Sequence, residues 1–181
     1  MKEAIYTEML VHVPICTHKE PKNILFIGGD AAALESEAAK YGTIDAKTIN
    51  DDVEALRDID RNSYDIVIAE APCDTVALAH IARIVKEDGL IAVGRIDLDD
   101  EEETRALLGE LTKSFKIAMP YTTRCEAVAL LASKEYHPTA DINLQRADLT
   151  DGFTVYNSDL HVGAFAMPTY IKKRYLGIIK N

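Results

Sequence analysis

The 181-residue sequence contains no tryptophan and has only three cysteines, at positions 16, 73 and 125. These lie far apart and show neither a Cys-x-x-Cys nor a zinc-type Cys/His spacing, so we expect no disulfide framework and no metal site. No apolar run approaches 18 residues, which argues against a membrane span. The first residues lack the apolar core of a secretory signal, and we therefore expect a cytoplasmic protein.

Basic residues are also scarce. The chain has 20 lysines and arginines against 30 aspartates and glutamates, a formal net charge of −10. This balance disfavours nucleic acid as a partner and is compatible with cationic small molecules. A hydrophobic content of 48% over this length suits one globular domain covering residues 1–181.

Strand and helix patterns alternate through the first two thirds of the chain. Short apolar runs at 22–28, 64–70 and 90–93 predict buried strands. Helices are predicted over 31–41, from an N-cap at Asp74 to an end at 86–89, and from the acidic run at 97–103 to about Lys113. The segment between Tyr41 and Tyr64 is too short to hold a strand, a helix and a further strand.

The last third predicts a different arrangement. Strands at 115–120 and 126–132, separated by a turn at 121–125, indicate an antiparallel hairpin. Residues 136–153 show no clear period, and 158–166 and 169–176 predict short helices. Together the patterns predict a three-layer α/β sandwich of the Rossmann-like, class I methyltransferase type, mostly parallel and reduced by about one strand-helix unit.

In such a fold, ligands bind at the carboxyl ends of the parallel strands. Gly28 and Gly29 end the first strand and permit close backbone approach, although two glycines are a weak signal for a nucleoside site. Glu70 ends the second buried strand, where a carboxylate is as often structural as functional.

Three segments resemble the polyamine aminopropyltransferases, the spermidine synthase family. They are EMLVHVP at 8–14, ILFIGGD at 24–30 and YNSDLHVGAFAMP at 156–168. The resemblance runs from about Tyr6 to Pro168 and implies transfer of an aminopropyl group from decarboxylated S-adenosylmethionine to putrescine or a similar polyamine, giving spermidine and methylthioadenosine. It implies no tightly bound cofactor. We interpret His161 in the last segment as a packing residue.

The resemblance also implies roles for particular residues. Glu70 stands where the family has its proposed proton acceptor. A second set would bind the sulfonium nucleoside, and a third the amine substrate. The nucleoside set is Gly28, Gly29, Asp30, Asp51 and Asp52, and the amine set is Tyr6, Asp74, Tyr121 and Thr122.

Departures from the family pattern are equally specific. Three alanines follow Asp30 where the family has glycines, Glu70 replaces an aspartate, and Cys73 replaces the second aspartate of that motif, with Asp74 one place on. The acidic residue that would bind the ribose is unplaced, with Asp45 as a candidate. The N-terminal β-stranded domain of the family is also missing. We therefore expect S-adenosyl compounds to bind weakly or not at all, with methylthioadenosine as the best candidate.

Three hypotheses follow. The chain is an aminopropyltransferase with a divergent site, a non-catalytic relative that binds a nucleoside or polyamine or acts through a partner, or a small-molecule methyltransferase. We also predict a homodimer, since a lost domain and a shortened sheet would expose apolar surface or an unpaired strand edge.

Overall fold

A computed structural model describes residues 1–50, 53–70, 73–124 and 127–181 of the chain. Eight helices and six strands occur in these ranges. The helices are α1 Lys2–Thr17, α2 Ala31–Ala39, α3 Val53–Arg57, α4 Thr75–Ile84, α5 Glu101–Ser114, α6 Leu144–Leu149, α7 Ser158–Ala164 and α8 Thr169–Arg174. The strands are β1 Asn23–Ile27, β2 Asp45–Ile49, β3 Tyr64–Ala69, β4 Val85–Ile96, β5 Ile117–Thr122 and β6 Val128–Ser133.

The six strands form one sheet in the order β2-β1-β3-β4-β6-β5. The first four are parallel, and β6 pairs antiparallel with both β4 and β5. This confirms the predicted Rossmann-like fold with its closing antiparallel hairpin. The segment between Tyr41 and Tyr64 holds one strand and a five-residue helix, in keeping with its short length.

Successive residues of the central strands belong to two separate apolar cores. Leu25 and Ile27 pack with α4, α5 and α8 on one face, whereas Ile24 and Phe26 pack with α1, α2 and α7 on the other. Because side chains alternate across a strand, a continuous apolar run fills both faces. The result is three layers, with helices on each side of the sheet. No helix within the described ranges is long and apolar enough to cross a membrane.

Three boundaries differ from the sequence predictions. Helix α4 ends at Ile84, and Lys86–Gly89, predicted as a helix end, belongs to β4. Val85 pairs with Tyr64 of β3, and Lys86 Nζ lies 2.8 Å from Asp65 Oδ1, so strand pairing overrides the local helix-end signal.

Tyr121 and Thr122, predicted in a turn, are the last residues of β5. Residues 136–153, predicted without regular structure, contain α6. Asn143 caps this helix by accepting a hydrogen bond from Arg146 N, a polar signal that does not depend on hydrophobic periodicity.

Candidate active site

The parallel strands β1, β3 and β4 end at one edge of the sheet, and α1 crosses the same region. Gly28 and Gly29 follow β1, Glu70 follows β3, and Arg95 lies near the end of β4. The hydroxyl of Tyr6, on α1, lies against Gly94, where an added Cβ would be 2.0 Å away. Ligand sites of open α/β sheets form at this edge.

The glycine turn has the geometry that requires glycine. Gly28 and Gly29 have φ values of 69° and 77°, in the left-handed region that residues with a Cβ rarely adopt. A Cβ on Gly29 would lie 2.0 Å from Oε2 of Glu70. The turn therefore brings the β1 backbone directly beneath the Glu70 carboxylate. Asp30 follows and caps α2 by accepting a hydrogen bond from Ala33 N at 3.2 Å.

Glu70 is held at the strand edge by its backbone and its side chain. Its N–H donates to Ile27 O at 3.0 Å, which continues the β1–β3 ladder by one residue. Its side chain is 11% exposed, and Oε1 accepts hydrogen bonds from Arg95 Nε at 3.2 Å and Nη2 at 2.8 Å. The carboxylate therefore has one oxygen on a guanidinium and the other over the glycine turn.

Arg95 was not among the site residues predicted from the sequence. Its φ of 55° is unusual for a residue with a Cβ, and the β4–β6 register shifts between Val93 and Ile96. Besides Glu70, its Nη2 donates to Glu3 Oε2 at 2.9 Å. Its guanidinium carbon lies 4.7 Å from the centre of the Tyr6 ring, within cation–π range.

Two tyrosine hydroxyls in this region have no hydrogen-bond partner among the described residues. They belong to Tyr6, which is 2% exposed, and to Tyr121, which is fully buried. Burial raises the pKa of both hydroxyls, and the charge of Glu70 raises that of Tyr6 further. A buried hydroxyl without a partner is costly, so the Tyr6 hydroxyl, which lies near the Glu70 carboxylate, points to a place where a polar ligand completes the set.

The space beside these groups is small. A cavity of about 130 Å³ is lined by Gly94, Arg95, Cys73 and neighbouring residues. A larger cavity of about 430 Å³ is lined by Glu20 and Tyr41, which precede β1 and β2, so it lies at the opposite edge of the sheet. We place the candidate site at the carboxyl edge of the strands, where the glycine turn, Glu70, Arg95 and Tyr6 meet. The smaller cavity borders this site only at Gly94 and Arg95.

Comparison with known proteins gives a consistent result. A family model for the spermine/spermidine synthase domain matches residues 3–62. Polyamine aminopropyltransferases from Helicobacter pylori (strain G27) and Clostridium beijerinckii are 25% and 26% identical, over 98% and 97% of this chain and 79% of each relative. The crystal structure of spermidine synthase from Thermotoga maritima matches with a TM-score of 0.77 at 23% identity, covering 95% of this chain and 74% of that one.

In sequence, the chain is similar to the polyamine aminopropyltransferases. These relatives are transferases, which supports the predicted enzyme class. The T. maritima structure shares the fold, including the mostly parallel sheet.

Of the remaining predicted site residues, two make structural hydrogen bonds and two lie outside the described residues. Asp74 caps α4, accepting from Ala77 N at 2.7 Å, and the Thr122 hydroxyl donates to Ala164 O at 3.4 Å. Both side chains therefore already make a structural hydrogen bond. Asp51 and Asp52, predicted to bind the nucleoside, lie outside the described residues.

The two motifs most similar to the aminopropyltransferases contact each other. Oε1 of Glu8, in α1, accepts hydrogen bonds at 2.8 Å from the backbone N–H groups of Thr154, Val155 and Tyr156. The Tyr156 hydroxyl pairs with His161 Nδ1 at 2.7 Å, and His161 Nε2 donates to Pro138 O at 2.8 Å. Both motifs therefore have a structural role in joining the C-terminal segment to α1, as predicted for His161.

One cluster has the residue types of a metal site. Ligand atoms of His18, Asp65 and Asp88 lie within 4.8 Å of one another. Asp65 is already bonded to Lys86 Nζ and to two backbone N–H groups. His18 Nδ1 accepts from Glu20 N, so Nε2 carries the hydrogen of the neutral ring and offers no lone pair. We interpret the cluster as a structural contact between α1 and the start of the sheet.

Proposed function

We propose that the chain transfers an aminopropyl group from decarboxylated S-adenosylmethionine to putrescine or a similar polyamine. The observation that carries the proposal is the Glu70 carboxylate, which lies over Gly29 and near the buried hydroxyl of Tyr6. Displacement at a sulfonium-bearing nucleoside by an amine requires a group that accepts the amine proton. It also requires a backbone that the nucleoside can approach closely and polar groups that hold the amine in line.

In the proposed reaction, the lone pair of the amine nitrogen attacks the carbon next to the sulfonium. A carbon–nitrogen bond forms, the carbon–sulfur bond breaks, and its electron pair goes to sulfur. The products are spermidine and neutral methylthioadenosine. The amine proton passes to Glu70, whose Oε2 faces the glycine turn. No metal or resident cofactor takes part in these steps.

The substrates would occupy opposite sides of Glu70. The nucleoside would lie on the Gly28–Gly29 turn, with Asp30 next in sequence and with Asp51 and Asp52 from the segment that follows β2. The amine would lie toward the Tyr6 and Tyr121 hydroxyls, with Asp74 and Thr122 at the rim. Decarboxylated S-adenosylmethionine is a co-substrate here, and we expect methylthioadenosine to be the tightest-binding nucleoside.

The test is to incubate the chain with decarboxylated S-adenosylmethionine and putrescine and to quantify spermidine and methylthioadenosine. Equal amounts of the two products support aminopropyl transfer, and neither product forming would contradict it. S-adenosylmethionine in place of the decarboxylated form, with methylated products sought, tests the methyltransferase hypothesis in the same assay.

The ion pair between Glu70 and Arg95 favours a second candidate, a non-catalytic relative that binds a nucleoside or polyamine, because the proposed proton acceptor is already bonded to a guanidinium. Calorimetric binding of methylthioadenosine or putrescine without any spermidine formation would support this candidate.

We also propose a homodimer. Strand β2 is an edge strand of the sheet, and an edge invites pairing with another chain. At the other edge, Ala118 of β5 already pairs with Lys180 through two backbone hydrogen bonds. Tyr170 and Leu176, near the C-terminal end, are 60% and 82% exposed and supply apolar surface. Light scattering coupled to size exclusion should give about twice the chain mass of 20.0 kDa, and a monomer at high concentration would contradict the proposal.

A further inference from the structure

A cation supplied by the chain itself lies in the candidate active site. The Arg95 guanidinium donates to Glu70 and Glu3 and stacks over the Tyr6 ring. Two carboxylates and an aromatic face are the set of groups by which proteins bind an organic cation. These three side chains therefore form a cation-binding position, and Arg95 occupies it.

The backbone directs Arg95 into this position. Its φ of 55° takes it out of the regular β4–β6 ladder, since the pairing register shifts between Val93 and Ile96. A left-handed conformation is unfavourable for a residue with a Cβ and persists where surrounding contacts hold it. In this protein, the contacts with Glu70, Glu3 and Tyr6 hold Arg95 in that conformation.

The side chain can nevertheless leave. Arg95 is 48% exposed and Glu3 is 76% exposed, whereas Glu70 is 11% exposed. Ion pairs at exposed positions contribute little stability, so exchanging one cation for another is energetically accessible.

We propose that Arg95 is a resident cation which competes with the substrate amine for the position formed by Tyr6, Glu3 and Glu70. An incoming ammonium or guanidinium group binds there by displacing the Arg95 side chain. Arg95 therefore lowers the affinity of the site for polyamines and releases Glu70 when a polyamine enters. The choice of a polyamine as ligand rests on the proposed function.

Replacing Arg95 with asparagine is the direct test. Asparagine tolerates the left-handed backbone conformation but carries no charge and cannot reach Glu3. Without the competing cation, putrescine should bind about tenfold more tightly, as measured by calorimetry at low ionic strength. Lys113→Asn is the control, because Lys113 is an exposed lysine that pairs with Glu110 on α5 and its loss changes the net charge equally.

A double-variant cycle tests the location. Glu70→Gln removes the main carboxylate of the position, so the gain from Arg95→Asn should largely disappear in the Glu70→Gln background. Arg95→Lys retains a positive charge and should bind putrescine nearly as weakly as the wild type. If Arg95→Asn fails to fold by circular dichroism, Arg95→Gly removes the same side chain and suits the left-handed backbone.

The outcomes separate this inference from the proposed function. Tighter putrescine binding by the neutral variant, with no spermidine formed by any protein, supports the resident cation while aminopropyl transfer fails. Spermidine formation by the wild type, with putrescine binding by the folded neutral variant unchanged or weaker, overturns the resident cation and leaves the transfer reaction standing.

Discussion

The Tyr121 hydroxyl offers a test of whether the unpartnered polar groups are there for a ligand. It is fully buried on β5 and has no hydrogen-bond partner in the described part of the chain, while its ring packs against Phe165 with centroids 5.3 Å apart. Tyr121→Phe keeps the ring contact and removes only the orphan hydroxyl. Because burying an unpaired polar group costs about 1–3 kcal/mol, we expect the variant to gain about 1 kcal/mol of folding stability.

In a chain of this length, that gain raises Tm by about 2–4 °C in differential scanning calorimetry. The matched control is Tyr156→Phe, since the Tyr156 hydroxyl is bonded to His161 Nδ1 at 2.7 Å. Its removal leaves a buried ring nitrogen unpaired and should lower stability by about 1–2 kcal/mol. The affinity for putrescine should fall in Tyr121→Phe alone. A Tm loss in Tyr121→Phe equal to that in Tyr156→Phe would show that the Tyr121 hydroxyl has a partner that stabilises the fold.

Two further predictions concern the structural motif. Glu8→Gln keeps an oxygen that can accept from the three backbone N–H groups but removes its negative charge, so urea unfolding should show a loss of about 1–3 kcal/mol, whereas a loss below about 0.5 kcal/mol would contradict that role. Burial lowers the pKa of His161 to about 4, below its unfolded value of about 6.5. The folded state therefore binds fewer protons in this window, and stability should fall as the pH drops from about 6.5 to about 4, by on the order of 3 kcal/mol. His161→Gln should lose this part of the pH dependence, and an unchanged profile would contradict it.

The sheet could be predicted because its signals are local and strong. The apolar runs of β1 and β3 end at glycine or at a carboxylate, and Asp74 caps its helix as predicted. Continuous apolar runs indicate strands buried on both faces, which is how Leu25 and Phe26 divide between the two cores.

Other features depend on contacts that a local pattern does not contain. Helix α1 is buried from Tyr6 onward apart from Thr7, so it has no polar face to reveal a helical period, and it contains Pro14. Arg95 joins the site through a left-handed backbone conformation and an ion pair with Glu3, 92 positions away in sequence. Neither feature corresponds to a sequence motif. The sequence alone therefore gave no reason to select Arg95 as a site residue.

We propose that Glu70 accepts the proton of the attacking amine, and a comparison of three proteins is the sharpest test of this role. Spermidine formation from decarboxylated S-adenosylmethionine and putrescine is measured for the wild type, Glu70→Gln and Glu70→Asp. Glutamine keeps the shape and removes the basicity, so kcat should fall by about a hundred- to ten-thousandfold, while aspartate should retain or raise activity. Wild-type turnover that Glu70→Gln leaves unchanged, or no spermidine from any of the three proteins, would contradict the claim.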